Sequence, residues 1–519
     1  MPDVKFPEQS NLCQYFLTSR IAAGRGAHPA VVTAAGAWTY AELEELAARC
    51  AGALGERGIT PDQRVLFLLR DGIHFAAAFF GTLRLGAVVA MVNPDVKPED
   101  VVHYVRYTGA RAVVADHALT PVLQALPADL QHVVILTSGA PASSTFDRME
   151  DALARAEPLA TPAPVHADDP AIWLFTSGST GLPRAVVHRA GDYIFNTEVF
   201  AKGTIGLRPD DVTVSVPKLF FGYATGTNLM FPLAVGATAA LFPERSTPES
   251  VLAACARHRA TVLTAVPTMM AAILAQADAD PRVLDALRSL RFMFSAGEAL
   301  PRELYERWKA RTGVEVYDGI GSAEMFHIYI SNRPGDVRPG TLGRIVDGYR
   351  ARIVDDDGRD VPDGEIGTMH ISGKSVGLCY WRDREKSYQV FRGDTCITAD
   401  KFSRDGEGYY TFHGRADDLL KVGGRWVAPL EVENALLGHA AVDGCCVVGK
   451  ADADGLDKPL AFVVLKAGHP PDDATADALK AHVKDRLQPY KYPRWVKFVD
   501  GLPKNDRGKV DRKAVRALV

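Results

Sequence analysis

The first half of the chain alternates short apolar runs with stretches of helical periodicity. Residues 39–42 read Thr-Tyr-Ala-Glu, the pattern of a capping box, and the apolar residues that follow recur at the spacing of one helix face. These residues are Leu43, Leu46, Ala47, Cys50 and Leu54. Further strands are predicted at 65–69, 87–92, 112–115, 133–136, 213–216, 238–242, 261–265, 291–296 and 314–317, and helices at 75–85, 248–258 and 301–312. This alternation predicts parallel α/β sheets.

The pattern changes after about residue 339. Strand-like runs at 340–355, 365–372 and 408–415 are separated by turns rich in glycine and aspartate, of which DDDGRDVPDGE (355–365) is the strongest. We therefore expect an antiparallel, barrel-like subdomain to follow the parallel sheets.

The last hundred residues have the pattern of a small α+β domain. Helices are predicted at 430–437 and 475–487, with strands at 444–449 and 461–465. The polar stretch GRADDL (414–419) is the natural hinge. We therefore expect a large N-terminal domain at 1–416 and a small C-terminal domain at 417–519.

Composition and charge exclude several classes of protein. The 519 residues are 47% apolar and 24% charged, as in ordinary globular proteins, and the formal net charge is −4. A chain so balanced lacks the basic footprint of a nucleic-acid-binding protein. It contains no apolar run long enough to span a membrane, and its start does not resemble a signal peptide. We expect a cytoplasmic protein with no nucleic-acid or membrane partner, and its seven irregularly spaced cysteines predict reduced, mostly buried thiols.

The strongest local signal is LFTSGSTGLPR, residues 174–184. Its glycines allow a close approach to a ligand, and successive backbone N–H groups can form an anion-binding nest. Hydroxyl groups and the charge of Arg184 add further donors for a phosphate. The segment is not a Walker A loop, because GxxxxGK[ST] is absent. On composition alone, a plain Ser/Gly-rich turn stays open.

Six motifs in order resemble those of one superfamily, which includes acyl- and aryl-CoA synthetases, peptide-synthetase adenylation domains and luciferases. They are TSGSTGLPR (176–184), SAGEALP (295–301), DGIGSAE (318–324), TADKF (398–402), GRADDLLKVGGRWVAPLEVE (414–433) and PKNDRGKVDR (503–512). The resemblance spans nearly the whole chain. It implies the same fold class, α/β with a small mobile α+β C-terminal domain.

The resemblance also implies a reaction in two halves. A carboxylate attacks the α-phosphate of ATP to give an acyl adenylate and pyrophosphate, and the thiol of coenzyme A then displaces AMP from the acyl carbon. ATP, Mg²⁺ and coenzyme A are the implied cofactors and co-substrates. Such chemistry depends mainly on positioning and electrostatic stabilisation.

Most of the implied nucleotide site lies in these motifs. Glu324 is expected to hold Mg²⁺, Asp400 to accept the ribose hydroxyls, and Arg415 to contact the nucleotide. The remaining implied ATP- and AMP-binding residues are Thr176, Ser177, Gly178, Ser179, Thr180, Gly181, Arg184, Gly297, Glu298, Asp318, Gly319 and Ile320.

The resemblance assigns roles in motion and catalysis to the end of the chain. Lys509 is expected to bridge the carboxylate and the α-phosphate during adenylation, as a catalytic residue beside Glu324 and Thr176. Asp417 matches the hinge about which the small domain swings. Gly423 and Gly424 are expected to line the coenzyme A tunnel.

Two segments are expected to line the acyl pocket, namely KLFFGYATG (218–226) and GIGSAEMFHI (319–328). Both resemble the benzoate-CoA ligase type, and their aromatic residues suit a flat ring. The expected pocket residues are Phe221, Gly222, Tyr223, Ala296, Gly321, Ala323, His327 and Ile328. Residues 217–226 contain no acid to receive an α-ammonium, so an amino-acid substrate is disfavoured. Benzoate, anthranilate and hydroxybenzoates stay open.

Two positions depart from the family pattern. The phosphate loop ends in Pro183-Arg184-Ala185 where the family usually has Pro-Lys-Gly, and Ala323 replaces the threonine that often precedes the glutamate. Arginine keeps the charge of lysine but changes its geometry. These departures bear on the rate of the reaction more than on the family.

The sequence favours an AMP-forming aryl-CoA ligase, an acid–thiol ligase whose substrates are a small aromatic acid, ATP and coenzyme A. Two alternatives stay open: an aryl-adenylating enzyme that loads a carrier protein, and a catalytically impaired nucleotide-binding protein. Monomer and homodimer are equally compatible with the sequence, and the pathway is not defined by it.

The role implied for Lys509 leads to a testable prediction. Lys509→Ala should lose adenylation far more than it loses thioester formation from supplied aryl-AMP, because the ammonium offsets charge that grows only in the first half-reaction. Pyrophosphate release and thioester formation measured separately would check this. An equal loss in both half-reactions would contradict the assigned role.

Overall fold

The computed structural model describes residues 4–176, 183–422, 425–452, 457–503 and 510–519. In these residues the β-strands are β1 (Pro29–Thr33), β2 (Gly36–Thr39), β3 (Arg64–Leu68), β4 (Val88–Met91), β5 (Ala112–Asp116), β6 (Val134–Ser138), β7 (Asp147–Arg148), β8 (Pro170–Thr176), β9 (Arg184–Arg189), β10 (Val212–Ser215), β11 (Thr238–Ala240), β12 (Val262–Ala265), β13 (Phe292–Ser295), β14 (Glu315–Gly321), β15 (Ile328–Ser331), β16 (Arg344–Ile345), β17 (Arg350–Val354), β18 (Gly367–Ser372), β19 (Cys379–Tyr380), β20 (Phe391–Arg392), β21 (Thr395–Arg404), β22 (Tyr410–Arg415), β23 (Leu420–Val422), β24 (Arg425–Val427), β25 (Val442–Ala451), β26 (Asp457–Leu465) and β27 (Trp495–Phe498).

The α-helices in the same residues are α1 (Tyr40–Glu56), α2 (Ile73–Arg84), α3 (Pro98–Thr108), α4 (Thr120–Gln124), α5 (Met149–Arg155), α6 (Ala190–Asn196), α7 (Gly222–Thr225), α8 (Phe231–Val235), α9 (Pro248–His258), α10 (Pro267–Ala279), α11 (Arg302–Thr312), α12 (Arg384–Val390), α13 (Pro429–Leu437), α14 (Asp473–Arg486) and α15 (Arg512–Arg516). Short π-helical segments lie at Gln14–Thr18, Ile21–Arg25, Thr197–Ile205 and Gly226–Met230. Turns of 3₁₀-helix lie at His117–Leu119, Ala128–Leu130, Pro281–Leu287, Ala323–Met325, Ala416–Asp418 and Pro489–Lys491.

Two large sheets form the first part of the chain, and both are mainly parallel. One has the order β16-β15-β14-β13-β12-β10-β11-β1-β2, and the other has the order β19-β9-β8-β4-β3-β5-β6-β7. Their central strands pair in parallel, as the sequence pattern predicted, whereas β2, β15 and β16 in the first sheet and β9 and β19 in the second pair antiparallel at an edge. The predicted α/β class is confirmed.

A five-stranded antiparallel sheet follows, in the order β17-β18-β21-β20 with β22 on β21. The single strand predicted at 340–355 was wrong. Its residues form β16, which joins the first large sheet, and β17, which joins the antiparallel sheet. Gly343, with a φ angle of 82°, precedes β16, and Gly348, with a φ angle of 98°, ends the extended conformation between β16 and β17.

The last residues form a small α+β unit. Strands β25, β26 and β27 make a three-stranded sheet, in which β25 and β26 pair antiparallel, and β23 and β24 make a hairpin. Helices α13 and α14 pack on this sheet through an apolar cluster that includes Val432, Val447 and Leu479.

The largest apolar cluster joins the three sheets of the first part of the chain. Val31, Val65, Phe294 and Met369 are all buried in it, and they come from β1, β3, β13 and β18. Elements far apart in sequence are therefore held together by one continuous core. None of the helices in the described part of the chain is both long and apolar enough to cross a membrane.

Helix α1 begins with the capping box that the sequence predicted. The Thr39 hydroxyl accepts from the backbone N–H of Glu42 at 3.2 Å, and the Glu42 carboxylate accepts from the backbone N–H of Thr39 at 2.7 Å. Two N–H groups without a partner in the helix are satisfied in this way. The buried face predicted for the helix includes Leu43, Ala47 and Leu54.

Removal of this cap should lower stability without affecting the site. Thr39→Ala should reduce the free energy of unfolding by about 1 kcal/mol, because the N–H of Glu42 loses its acceptor. A thermal unfolding midpoint checks this. Thr60→Ala, on an exposed turn, is the control, and a Thr39 variant no less stable than that control would contradict the capping role.

Candidate functional site

The carboxyl ends of β13 and β14 bring two of the predicted motifs together. These strands are parallel neighbours, with Ser295 opposite Asp318. Ala296–Glu298 leave the sheet after β13, beside Gly319 and Ile320, which continue β14 and pair with β15. The Glu298 carboxylate accepts from the backbone N–H of Thr268 at 3.0 Å at the start of α10, so it already supports the loop. Ligands of open α/β sheets bind at such carboxyl ends.

The two predicted acyl-pocket segments meet at His327 and Tyr223. The Nε2 atom of His327 lies 3.1 Å from the carbonyl oxygen of Tyr223, which can only accept, so Nε2 donates. Burial lowers the pKa of His327 to about 3, so the ring is neutral and its Nδ1 atom is an acceptor. In the described residues neither this Nδ1 atom nor the buried Tyr223 hydroxyl has a hydrogen-bond partner.

Aromatic rings enclose this pair. The centroids of Phe200 and Phe231 lie 5.6 Å and 4.7 Å from that of His327, and the centroid of Tyr223 lies 5.5 Å away. Burial raises the pKa of Tyr223 well above its usual value, and the charge of nearby Asp318 adds to the rise. The environment therefore combines aromatic surface with one buried donor and one buried acceptor.

Glycines allow close packing around the pair. A Cβ atom on Gly226 would lie 2.6 Å from Cδ2 of His327, and one on Gly321 would lie 2.4 Å from the His327 carbonyl oxygen. A Cβ atom on Gly222 would lie 2.9 Å from the Leu174 side chain, two residues before Thr176. The predicted acyl pocket therefore adjoins the start of the predicted phosphate loop.

Other predicted pocket and nucleotide residues lie close by. Ile328 begins β15 opposite Gly321, and Phe221 immediately precedes α7. Burial raises the pKa of Asp318 well above its usual value, so its carboxyl group favours the neutral form.

Glu324 lies in the 3₁₀ turn Ala323–Met325, and its Oε1 atom accepts from the Tyr380 hydroxyl at 2.7 Å. Burial, reinforced by Glu324, raises the pKa of Tyr380, which keeps the phenol as a donor. In the described residues no cluster of three or more His, Cys, Asp or Glu side chains could hold a metal ion by itself. A single carboxylate fits Mg²⁺ that arrives with phosphate oxygens as its other ligands.

Asp400 and Arg415 face each other across β21 and β22. The Nε atom of Arg415 lies 3.4 Å from Oδ1 of Asp400. Burial raises the pKa of Asp400 to about 6; Arg415 opposes the rise and the negative charge of Glu324 adds to it. Two carboxylates, predicted separately for ribose and for metal, therefore lie within electrostatic reach of each other.

Thr176 and Arg184 are paired residues at the ends of β8 and β9, so the predicted phosphate loop connects two antiparallel strands. The Nε atom of Arg184 lies 2.8 Å from Oδ2 of Asp383. Asp383 also accepts from the backbone N–H of Lys386 and so caps α12. Arg184 is thus paired with the carboxylate that caps α12.

Several predicted site residues lie outside the described residues: Ser177, Gly178, Ser179, Thr180, Gly181, Gly423, Gly424 and Lys509. The backbone of Asp417 lies in the 3₁₀ turn Ala416–Asp418. The roles assigned to these residues stay predictions.

The sequence patterns did not predict some side chains at the site. Tyr380 contacts Glu324 across 56 positions of sequence, and His188 contacts Ala323 across 135. Neither contact has a local sequence pattern. Gly226 ends the predicted pocket segment 218–226, but the sequence does not indicate why glycine is needed there. The close packing of the His327 ring against it supplies the reason.

Solved structures and characterised proteins resemble this chain over nearly its whole length. The chain is 42% identical to the benzoate–CoA ligase of Thauera aromatica, over 99% of this chain and 97% of that protein. It is 38% identical to a 4-hydroxybenzoate–CoA/benzoate–CoA ligase of Rhodopseudomonas palustris, over 97% of this chain and 93% of that protein. The crystal structure of the anthranilate CoA ligase AuaEII in complex with anthranoyl-AMP matches with a TM-score of 0.92 and 36% identity, over 99% of this chain and 98% of that one.

Two family models match the chain. The model of the AMP-binding enzyme C-terminal domain matches residues 431–509, and the model of the AMP-binding enzyme matches residues 18–381, well over half of the chain. The superfamily identified from six ordered motifs is thereby confirmed: the chain belongs to the family of AMP-binding enzymes.

Proposed function

We propose that this chain is an ATP-dependent aryl-CoA ligase. It converts a small aromatic carboxylate to its coenzyme A thioester through an aryl adenylate, and it releases pyrophosphate and AMP. The named functions of its relatives support this reaction.

The observation that carries the proposal is the buried pair of Tyr223 and His327. An unpartnered hydroxyl donor and an unpartnered nitrogen acceptor are costly in an apolar surrounding unless a ligand completes their hydrogen bonds. The flanking rings of Phe200 and Phe231 suit a flat substrate. A small aromatic acid with a ring amine or hydroxyl meets both requirements, whereas benzoate supplies the flat ring and an acceptor for Tyr223.

In the first half-reaction, a carboxylate oxygen of the acid attacks the α-phosphorus of ATP and pyrophosphate leaves. Lys509 offsets the negative charge that develops on the oxygens of the α-phosphate, and the loop from Thr176 to Arg184 holds the departing phosphates. Glu324 would hold Mg²⁺, which neutralises phosphate charge when bound, and Tyr380 orients the Glu324 carboxylate.

The nucleotide is held at the ends of the sheet strands. Asp400 accepts hydrogen bonds from the ribose hydroxyls, and Arg415 lies beside it to contact the nucleotide. The adenine lies against the segments that contain Gly297 and Asp318. Together these contacts keep the adenylate in place between the two half-reactions.

In the second half-reaction, the thiol sulfur attacks the acyl carbon and AMP leaves. We propose that residues 417–519 form a mobile domain that turns about Asp417 between the two steps. Gly423 and Gly424 then border the coenzyme A tunnel. The apolar clusters formed by residues after 419 support a separate folding unit.

The ring substituent separates benzoate from anthranilate and the hydroxybenzoates. The neutral His327 offers an acceptor that an aromatic amine or hydroxyl can satisfy, whereas benzoate presents no ring donor to it. The cytoplasmic location expected from the sequence stays a prediction.

A panel of acids tests the proposal directly. Ranked by kcat/KM, benzoate or a ring-substituted benzoate should exceed acetate and phenylalanine by about 100-fold or more, because the site is aromatic and residues 217–226 contain no acid for an α-ammonium. Aryl-AMP that accumulates without a coenzyme A product would favour carrier-protein loading instead. Absence of acid-dependent pyrophosphate release would favour a nucleotide-binding protein without catalysis.

The close contact between Gly226 and His327 provides a second test. Gly226→Ala should raise KM for the aromatic acid by about 10-fold and leave KM for ATP within twofold, because the new methyl group displaces the His327 ring. Gly406→Ala is the matched control, since nothing lies within 4 Å of a Cβ atom there. A rise in both constants for Gly226→Ala, or none in either, would count against this pocket.

A further inference from the structure

The ring of His188 lies between two acceptors in the interior. Its Nδ1 atom is 2.8 Å from Oδ2 of Asp192, and its Nε2 atom is 2.6 Å from the carbonyl oxygen of Ala323. A carbonyl oxygen can only accept, so Nε2 donates to it. His188 and Asp192 are both almost fully buried, which makes these hydrogen bonds important for the geometry around them.

Asp192 is itself held firmly. It accepts from the backbone N–H of Arg189 at 3.1 Å and from the Arg189 guanidinium at 3.0 Å. Arg189 also donates to the carbonyl oxygen of Val376 at 3.1 Å. The buried carboxylate is therefore paired with a cation and fixed at the start of α6, so the direction of the His188 ring is fixed as well.

The acceptor of His188 belongs to the turn that carries Glu324. Three consecutive carbonyl oxygens of this turn accept from other segments. Ala323 accepts from His188, Glu324 from the backbone N–H of Gly377 at 2.8 Å, and Met325 from the Ser375 hydroxyl at 2.9 Å.

The residue after the turn is strained. Phe326 has φ 66° and ψ −57°, a conformation that is unfavourable for a residue with a side chain. Such a turn needs surrounding contacts to keep its shape. The donors on the three carbonyl oxygens supply those contacts, and His188 makes the shortest of them.

His188 also connects two predicted parts of the site. It lies in β9, the strand that begins at Arg184 as the predicted phosphate loop ends. The predicted phosphate loop therefore joins one end of β9. Four residues further along the strand, the His188 side chain donates to the turn that contains Glu324. A displacement of β9 relative to Glu324 would separate the two groups expected to share one nucleotide.

We propose that His188, oriented by Asp192, is a positioning residue that sets the Glu324 carboxylate relative to the phosphate loop. It acts through the carbonyl of Ala323 and touches no reacting atom. This role rests on the proposed function, because it assumes that Glu324 and the loop meet the same metal-bound nucleotide.

The test compares His188→Leu, which removes both hydrogen bonds, with His188→Gln, whose amide nitrogen can still donate to Ala323. The metal readout is Mn²⁺ binding, followed by electron paramagnetic resonance, with α,β-methylene-ATP present. We expect His188→Leu to weaken Mn²⁺ binding by about 10-fold or more, as is usual when a group behind a metal ligand is lost. His188→Gln should recover most of that loss.

A second readout separates positioning from general damage. Thioester formation from supplied aryl-AMP and coenzyme A needs neither ATP nor the metal, so it should stay within twofold in His188→Leu. Ile273→Ala, buried in a separate apolar cluster on α10, is the control for lost stability and should bind Mn²⁺ as the parent does. Unchanged Mn²⁺ binding in His188→Leu, or equal losses in both half-reactions, would overturn the proposal.

Two further outcomes keep the test decisive. If His188→Leu does not fold, Asp192→Ala replaces it, since it removes the side-chain group that orients the His188 ring. It should weaken Mn²⁺ binding in the same direction, and unchanged binding would overturn the proposal. If the parent protein forms no thioester with any acid, the proposed function fails. Mn²⁺ and nucleotide binding still measure the role of His188 in that case.

Discussion

The parallel pairing of β13 with β14 is the constraint on which the candidate site depends. Parallel neighbours run in the same direction, so the loop after Ser295 emerges beside the last residues of β14, Gly319–Gly321. Strand β14 then turns back antiparallel into β15, which returns His327 and Ile328 to the same edge. One register thus brings together the segments predicted to bind the nucleotide and the acyl group.

Several buried polar groups lie near this sheet edge. Asp192, His188, Asp318 and His327 are all withdrawn from water there. Each such group is costly unless it is paired. Some are paired within the protein, as Asp192 is with Arg189, while Nδ1 of His327 has no partner in the described residues. The paired groups fix the geometry of the site, whereas the unpartnered nitrogen is suited to a ligand.

The parts of this arrangement that depend on residues close together in the sequence were predictable. The capping box of Thr39 and Glu42 depends on residues three apart, and the strand pattern of the parallel sheets follows from apolar runs. The division of 340–355 between two sheets was not predictable, because it depends on the conformations of Gly343 and Gly348. The contacts of Tyr380 with Glu324 and of His188 with Ala323 join residues far apart in sequence, so they required the tertiary structure.

The contact between Gly226 and His327 has a consequence for how such a pocket can change. Where a ring occupies the space of a missing Cβ atom, the two positions cannot vary independently. A side chain at 226 must displace the ring when His327 is present, whereas a smaller residue at 327 leaves a void that a later change at 226 can partly fill. Changes at these two positions are therefore less costly in one order than in the other.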